Sequence, residues 1–202
     1  VAKKLGFIYV DTGALYRSIG LYVLRQNAAP DDEEAVCALL SKITLDLRYK
    51  GDEQRVFLND EDVSEEIRQA PVSLAASAVS AHPAVRAFLL DLQREMADKH
   101  NVIMDGRDIG TVVLPDADVK IFLSASAEVR ARRRWLELQA AGRPDSYEEV
   151  LRDMNERDYR DTHRAAAPLA CARDAQRVDT SKLSLEESIA EILKIIREKT
   201  GV

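Results

Sequence analysis

The features this sequence lacks exclude several function classes. No apolar stretch approaches the roughly 20 residues of a membrane-spanning helix, and the opening VAKKLGF carries no signal-peptide block. A cytoplasmic protein with no membrane partner is therefore expected. Cysteine is scarce: Cys37 and Cys171 have neither a CxxC spacing nor a metal-ligand spacing, and read as two reduced, incidental thiols. His82, His100 and His163 lie too far apart in sequence to suggest a metal cluster. Among the 8 glycines none begins a GxGxxG or a GxxxxGK(S/T), so residues 1–202 hold no dinucleotide fingerprint and no P-loop. Positive charge is also in deficit, with 29 Lys and Arg against 35 Asp and Glu, a net −6 that argues against a general nucleic-acid binder. Internal repeats and low-complexity segments are absent, and no Ser–His–Asp or Cys–His arrangement presents itself.

The residues present suit an α/β domain with a smaller insertion. Apolar residues make up 46% of the 202, enough for an ordinary core, and charged residues make up 32%, which suits long exposed helices. Leu5 to Val10 reads as a strand. Thr12 then caps a helix from Ala14 to Arg25, with Leu15, Ile19, Tyr22 and Val23 at helical spacing. A helix start of this kind attracts anions through its free N–H groups and its dipole. Glu33 to Ile43 reads as a short helix. Leu45–Tyr49 and Arg55–Asn59 alternate around a break at 50–54, a hairpin signal. Helices over Val63–Ala81 and Pro83–Lys99 follow, split before Pro83 because a residue preceding proline avoids helical geometry. Further on, Ser126 caps a helix over Ala127–Ala141, and Ser146 with Glu149 makes a capping box for the next. Arg177-Val178-Asp179 reads as a last strand, and Ser184 with Glu187 opens a final amphipathic helix.

Two stretches carry chemistry. Val102-Ile103-Met104 has the pattern of a strand buried on both faces, and Asp105-Gly106-Arg107-Asp108 follows at once, before a second apolar run from Val119 to Leu123. A carboxylate at the carboxyl end of a strand stands where open α/β sheets bind ligands, and an arginine beside it can clamp a phosphate with two parallel hydrogen bonds. The local alternative is a tight turn in which Arg107 pairs with Asp105 or Asp108. The second stretch is NERDYRDTHR at 155–164, where Arg157, Arg160 and Arg164 fall at i, i+3 and i+7 beside Asp161. Its alternative is a solvated, salt-bridged helix. Arg130 to Arg164 holds nine arginines and eight acids, a nearly neutral segment on an acidic chain, which favours a small anionic ligand over a polyanion. Phosphate-binding groups on three segments, Thr12/Tyr16/Arg17, Arg107 and Arg157/Arg160/Arg164, suit phosphoryl transfer, where positioning and charge do most of the work.

Three blocks together resemble the bacterial cytidylate (CMP) kinases: DTGALYR at 11–17, DGRDIGTVVLPDADVKIFLSA at 105–125 and RDYRDTHRAAAPL at 157–169. The likeness runs over essentially the whole chain, the family's N-terminal P-loop apart. VAKKL reads like the tail of a helix, so a strand, a phosphate loop and a half-helix are expected upstream. The resemblance implies an α/β, P-loop kinase-like fold with a five-stranded parallel sheet core flanked by helices. It implies one domain over 1–202, with core 1–38, 100–129 and 165–202. An inserted NMP-binding subdomain, a small antiparallel piece plus helices, would span about 39–99 and a mobile helical lid about 130–164.

The implied activity is transfer of the γ-phosphoryl of ATP to CMP or dCMP with Mg²⁺, by a monomer. Thr12, Tyr16, Arg17 and Arg107 would hold the acceptor phosphate and its surroundings. Ser77, Arg86 and Asp108 would read the cytosine edge, and Arg157 and Asp161 would lie near the ribose or phosphate. Arg157, Arg160 and Arg164 would be catalytic, closing over the transferring group, and Asp105 would organise Mg²⁺ through water. Base chemistry fits in part: cytosine's 4-amino group donates and its N3 and O2 accept, whereas uracil would set a carbonyl against a carboxylate at Asp108. Two other readings stand beside this one: a different small-molecule P-loop kinase, disfavoured by the large 44–99 insertion, or a nucleotide-binding protein without catalysis.

Overall fold

In the computed structural model, which describes residues 1–50 and 53–201, the chain forms two compact units that divide between Gly106 and Arg107. The first begins with helix α1, Ala2–Leu5. Leu5 therefore closes a helix rather than opening a strand. Gly6, at φ 68, turns the chain in the left-handed region that only glycine enters without cost, and Phe7 N–H bonds back to the Ala2 carbonyl at 3.0 Å. Strand β1 is Ile8–Asp11 and helix α2 is Thr12–Arg25. The cap of α2 is Asp11, not Thr12: the Asp11 carboxylate accepts from Ala14 N–H at 2.9 Å. Leu15, Ile19 and Val23 are fully buried, so the helical spacing read from sequence is the core stripe.

Helix α3, Glu33–Leu40, stops short of Ile43 in tight turns that return Lys42 N–H to Leu39 and Ile43 N–H to Leu40. Strands β2 (Leu45–Lys50) and β3 (Glu53–Leu58) pair antiparallel from Leu45↔Leu58 to Lys50↔Glu53, and β4 (Glu61–Asp62) adds a short third strand. The hairpin is longer than the alternation suggests; of its expected break, Gly51 and Asp52 lie outside the described residues. No continuous helix fills 63–81. A 3₁₀ turn at Glu66–Arg68 precedes helix α4, Ala70–Val79. The reason is local: Ser64 Oγ donates to Asp62 Oδ1 at 2.6 Å and accepts from Val56 N–H at 2.8 Å, binding this segment to the hairpin instead of to a helix. Helix α5 spans Pro83–Lys99, starting where the His82-Pro83 step predicts. Strand β5, Val102–Asp105, runs parallel to β1. It is half-buried along Val102–Met104 rather than buried on both faces, while Val10 of β1 is fully enclosed.

The second unit opens on a π-helical turn, Ile109–Val113. Strand β6 is Ile121–Ser124, two residues later than the apolar run begins. Helices α6 (Ala127–Ala140) and α7 (Tyr147–His163) carry the caps read from sequence: Ser126 Oγ accepts from Val129 N–H, and Ser146 with Glu149 closes a reciprocal box. The two helices enclose a small core of their own, Ala131, Leu138 and Val150, with Trp135, Leu151 and Met154 against it. Strand β7, Gln176–Asp179, lies parallel to β6, and helix α8, Leu185–Thr200, starts at its own Ser184–Glu187 box. The fold is thus α/β, as expected. Its described parallel ladders are two pairs, β1–β5 and β6–β7, one in each unit. Among the described residues no single helix is long and apolar enough to cross a membrane.

The tightest packing in the first unit is α2 on α4. A Cβ at Gly20 would stand 2.8 Å from Ala76 N and 3.1 Å from Ala75 C, both backbone atoms that cannot step aside. Alanine favours a helix over glycine by about 1 kcal/mol, yet here Gly20→Ala should destabilise by about 1–3 kcal/mol through overpacking. Thermal unfolding checks this. The expected drop in Tm is about 2–4 °C per kcal/mol, and an unchanged or raised Tm would show that α4 yields.

Candidate active site

The parallel register of β1 and β5 sets Asp11 beside Asp105 at the carboxyl ends of both strands. Three side chains organise this edge. Tyr9 Oη donates to Asp105 Oδ1 at 3.0 Å, and Thr12 Oγ1 donates to the Asp105 carbonyl at 2.7 Å. Asp11 Oδ2 accepts from Arg17 Nη2 at 2.8 Å. The residue that caps α2 therefore also holds the guanidinium one turn further along. Gly13 permits it, since a Cβ there would lie 3.0 Å from both Arg17 Nη1 and Asp11 Oδ1. Burial first, then the negative charges of Asp105 and Asp11, push the Tyr9 phenol well above its ordinary range, so it stays a hydrogen-bond donor.

The remaining first-unit candidates are Tyr16, Ser77 and Arg86. The Arg86 guanidinium carbon lies 5.8 Å from the Tyr16 ring centroid, a cation–π contact, and Arg86 Nη1 donates to the Ser80 carbonyl at 3.3 Å. Ser77 is half-buried on α4, where its carbonyl accepts from Ser80 Oγ at 2.9 Å. For a divalent cation, no group of three or more His, Cys, Asp or Glu side chains gathers among the described residues. An exposed Asp105 with its carboxylate at the strand end fits a cation held through water, the mode Mg²⁺ favours, rather than a protein cage.

In the second unit two acids are buried, Asp108 and Asp161, and both face arginine. Arg107 Nε donates to Asp161 Oδ2 at 2.8 Å, and Arg157 Nε stands 3.9 Å from the same oxygen. Arg107 is thus tied to a residue on α7 rather than only to its neighbours in the turn. Asp108 heads the π-helical turn, its carbonyl accepting from Val112 N–H at 2.9 Å, and its Oδ1 lies 3.7 Å from Arg164 Nη2. Lys120, buried under this turn, pairs with Asp174 at 2.5 Å and packs its stem against Gly110.

The three α7 arginines do not share one helical face. Arg164 is the C-cap, at φ −64 and ψ 143, and its Nε donates to the Ala167 carbonyl at 2.7 Å. Arg157 remains on the helix. Arg160 is exposed, with its Nε on the Glu156 carbonyl at 3.4 Å, and among the described residues it joins neither Asp108 nor Asp161. The helix ends at His163 because Arg164 turns extended, which a 3.6-residue count cannot foresee. Sequence reasoning also passed over Asp11 and Tyr9. Asp11 was findable as an aspartate directly before a helix start, the strongest kind of cap; Tyr9 gives no signal in a strand of alternating apolar residues.

The first unit ends its parallel strands in carboxylates, the second draws arginines onto buried acids, and the family match gives the class: a nucleoside-monophosphate kinase of α/β architecture. The sequence matches the family described as Cytidylate kinase over residues 1–198. It is 49% identical to the cytidylate kinase of Desulfitobacterium hafniense strain Y51, over 98% of this chain and 85% of that protein. It is 50% identical to that of Carboxydothermus hydrogenoformans, over 100% of this chain and 91% of the relative, and 48% identical to that of Mycobacterium leprae strain Br4923, over 100% and 89%. The chain belongs to the cytidylate kinase family.

Arg157 and Arg164, both ion-paired, should differ in what they contribute to folding. The Arg164 side chain is 14% exposed and Arg157 57%. Arg164→Ala removes a partly buried hydrogen bond and takes a cation from beside buried Asp108, so it should cost about 1–3 kcal/mol. Arg157→Ala should stay within about 0.5 kcal/mol, as exposed substitutions usually do. Denaturant unfolding of both variants checks this; equal midpoints would mean that Arg164 is not a folding element.

Proposed function

We propose that the protein transfers the γ-phosphoryl group of ATP to CMP or dCMP, giving ADP and CDP or dCDP, as a monomer in the cytoplasm. The observation that carries this reading is the pair of buried acids in the second unit, each set against arginine: Asp161 with Arg107 and Arg157, Asp108 with Arg164. Such an arrangement keeps several cations in place at little entropic cost and presents them to an anion.

The roles follow from the chemistry of each side chain. Arg17, with Thr12 and Tyr16 around it, binds the acceptor phosphate, as does Arg107. Asp11 is the ground-state partner that keeps the Arg17 fork oriented until phosphate arrives. Asp161 accepts from the ribose or orients its two arginines. Arg157, Arg160 and Arg164 neutralise charge on the transferring group. Asp108 accepts from the cytosine 4-amino group; Ser77 and Arg86 donate to its acceptors. Asp105 would hold Mg²⁺ through water, and the cation would supply charge neutralisation between phosphates.

Two measurements on the full-length enzyme test these assignments together. With CMP, dCMP, UMP and AMP as acceptors, the cytidine nucleotides should be strongly preferred, and Asp108→Asn should lower the CMP-to-UMP ratio of kcat/KM by about tenfold or more, because an amide can donate to the uracil carbonyl. Arg157→Ala should lower kcat by roughly 10²-fold, the scale of one lost phosphoryl-stabilising donor. An unchanged ratio would remove Asp108 from base reading. Normal kcat in Arg157→Ala would return α7 to a salt-bridged surface helix.

A further inference from the structure

Two positions four residues apart on α2 share one face and do opposite things. Gly20 has no side chain, and its backbone approaches Ala75 and Ala76 of α4 so closely that a Cβ would clash. Tyr16, one turn earlier, carries a large half-buried ring. The guanidinium carbon of Arg86, from the first turn of α5, lies 5.8 Å from the centre of that ring. A phosphate contact would use only the hydroxyl of Tyr16, whereas the cation faces its ring. Arg86 is anchored on a second side as well, where its Nη1 donates to the Ser80 carbonyl at 3.3 Å. Ser80 is the C-cap of α4. The last carbonyls of a helix have no partner within it and carry the negative end of its dipole, so a cation suits that place. Ser80 Oγ in turn donates to the Ser77 carbonyl at 2.9 Å. The last turn of α4 thus holds both Ser77 and Arg86, the two residues assigned to the acceptors of the base. Helix α2 supports that turn through Gly20 and the guanidinium through Tyr16.

We propose that Tyr16 is a positioning residue for base selection: its ring is the shelf on which Arg86 lies, oriented toward the acceptors of cytosine. A guanidinium is planar and stacks on aromatic faces, so a ring sets the tilt of its plane as well as its place. Arg17 is the next residue on α2, held by Asp11. One helical turn therefore serves the phosphate through Arg17 and the base through the ring of Tyr16. The alternative within the same geometry is that Tyr16 only packs against the core of the first unit, which it also touches. This inference rests on the proposed role of Arg86 at the base, and Arg86→Met tests that role by itself.

The test uses Tyr16→Leu, Tyr16→Phe, Arg86→Met and the Tyr16→Leu/Arg86→Met double variant of the full-length enzyme. Leucine keeps apolar bulk and removes the aromatic face; phenylalanine keeps the face and removes the hydroxyl. Cytosine N3 accepts a hydrogen bond where uracil N3 carries a hydrogen, so a well-aimed Arg86 favours CMP over UMP. Tyr16→Leu should lower the CMP-to-UMP ratio of kcat/KM about fivefold, and should weaken binding of cytidine, which has no phosphate, by about the same factor. Tyr16→Phe should keep the ratio within about twofold of wild type, since a hydroxyl on the phosphate serves both nucleotides alike. In the Arg86→Met background, Tyr16→Leu should lower the ratio no further. Tyr16→Met, also without a ring, repeats the arm should the leucine variant not fold. A wild-type ratio in the ring-free variant, whatever its Tm, would overturn the proposal and leave Tyr16 a packing residue. So would unchanged cytidine binding, a ratio lowered as far by phenylalanine as by leucine, or an equal loss with and without Arg86. If Arg86→Met itself left the ratio unchanged, Arg86 would not read the base, and the reading beneath the proposal would fall with it.

Discussion

The second unit depends on one buried carboxylate. Asp161 lies near the end of α7, and its side chain is 13% exposed. Oδ2 accepts from Arg107 at 2.8 Å, Arg157 stands 3.9 Å from the same atom, and the Asp161 carbonyl receives Leu169 N–H. A single residue thus ties the first residue of the unit, the helix and the loop beyond it. A buried acid of this kind contributes little net stability, because the cost of taking charges out of water offsets most of the attraction. What it gives is position. Two flexible cations converge on one oxygen.

The first unit follows the same rule with different parts. Asp11 serves twice, as the cap of α2 and as the partner of Arg17, and Gly13 is the residue that lets the guanidinium approach. Asp105 is fixed by a phenol and a threonine hydroxyl that act on its side chain and its carbonyl in turn. In each unit the cations are held by carboxylates that an anionic ligand can outcompete, since phosphate offers stronger charge-assisted bonds than one shared carboxylate oxygen. Under the proposed function the arrangement is a reversible phosphate site rather than a stabilising salt-bridge lattice.

Much of this was legible in the residues. The helix starts at Ser126, Ser146, Ser184 and Pro83 could be read because capping chemistry is local and depends on a few adjacent side chains. The buried stripe of α2 was legible from its period. Errors arose where side chains reach across the fold. Ser64 ties itself to the hairpin and so denies a helix to its own segment, and Arg164 turns out of α7 to meet a carbonyl and an acid distant in sequence. The half-burial of Val102–Met104 has the same origin: an apolar run states what a strand can bury, and only its neighbours decide what it does bury. The pairing of Arg107 with Asp161, 54 residues apart, was not visible in either motif, although both residues were singled out.

The central claim is that acids such as Asp161 exist to present arginines to the phosphate of a bound nucleotide. Calorimetric titration of CMP and of cytidine against the wild-type protein and Asp161→Asn tests it most directly, since the two ligands differ only in that phosphate. The account predicts that CMP binds at least about 10²-fold more tightly than cytidine to the wild type, and that this gap narrows by about tenfold, roughly 1.4 kcal/mol, in Asp161→Asn. A gap of the same size in both proteins would contradict it, and would leave the buried acids as elements of folding alone.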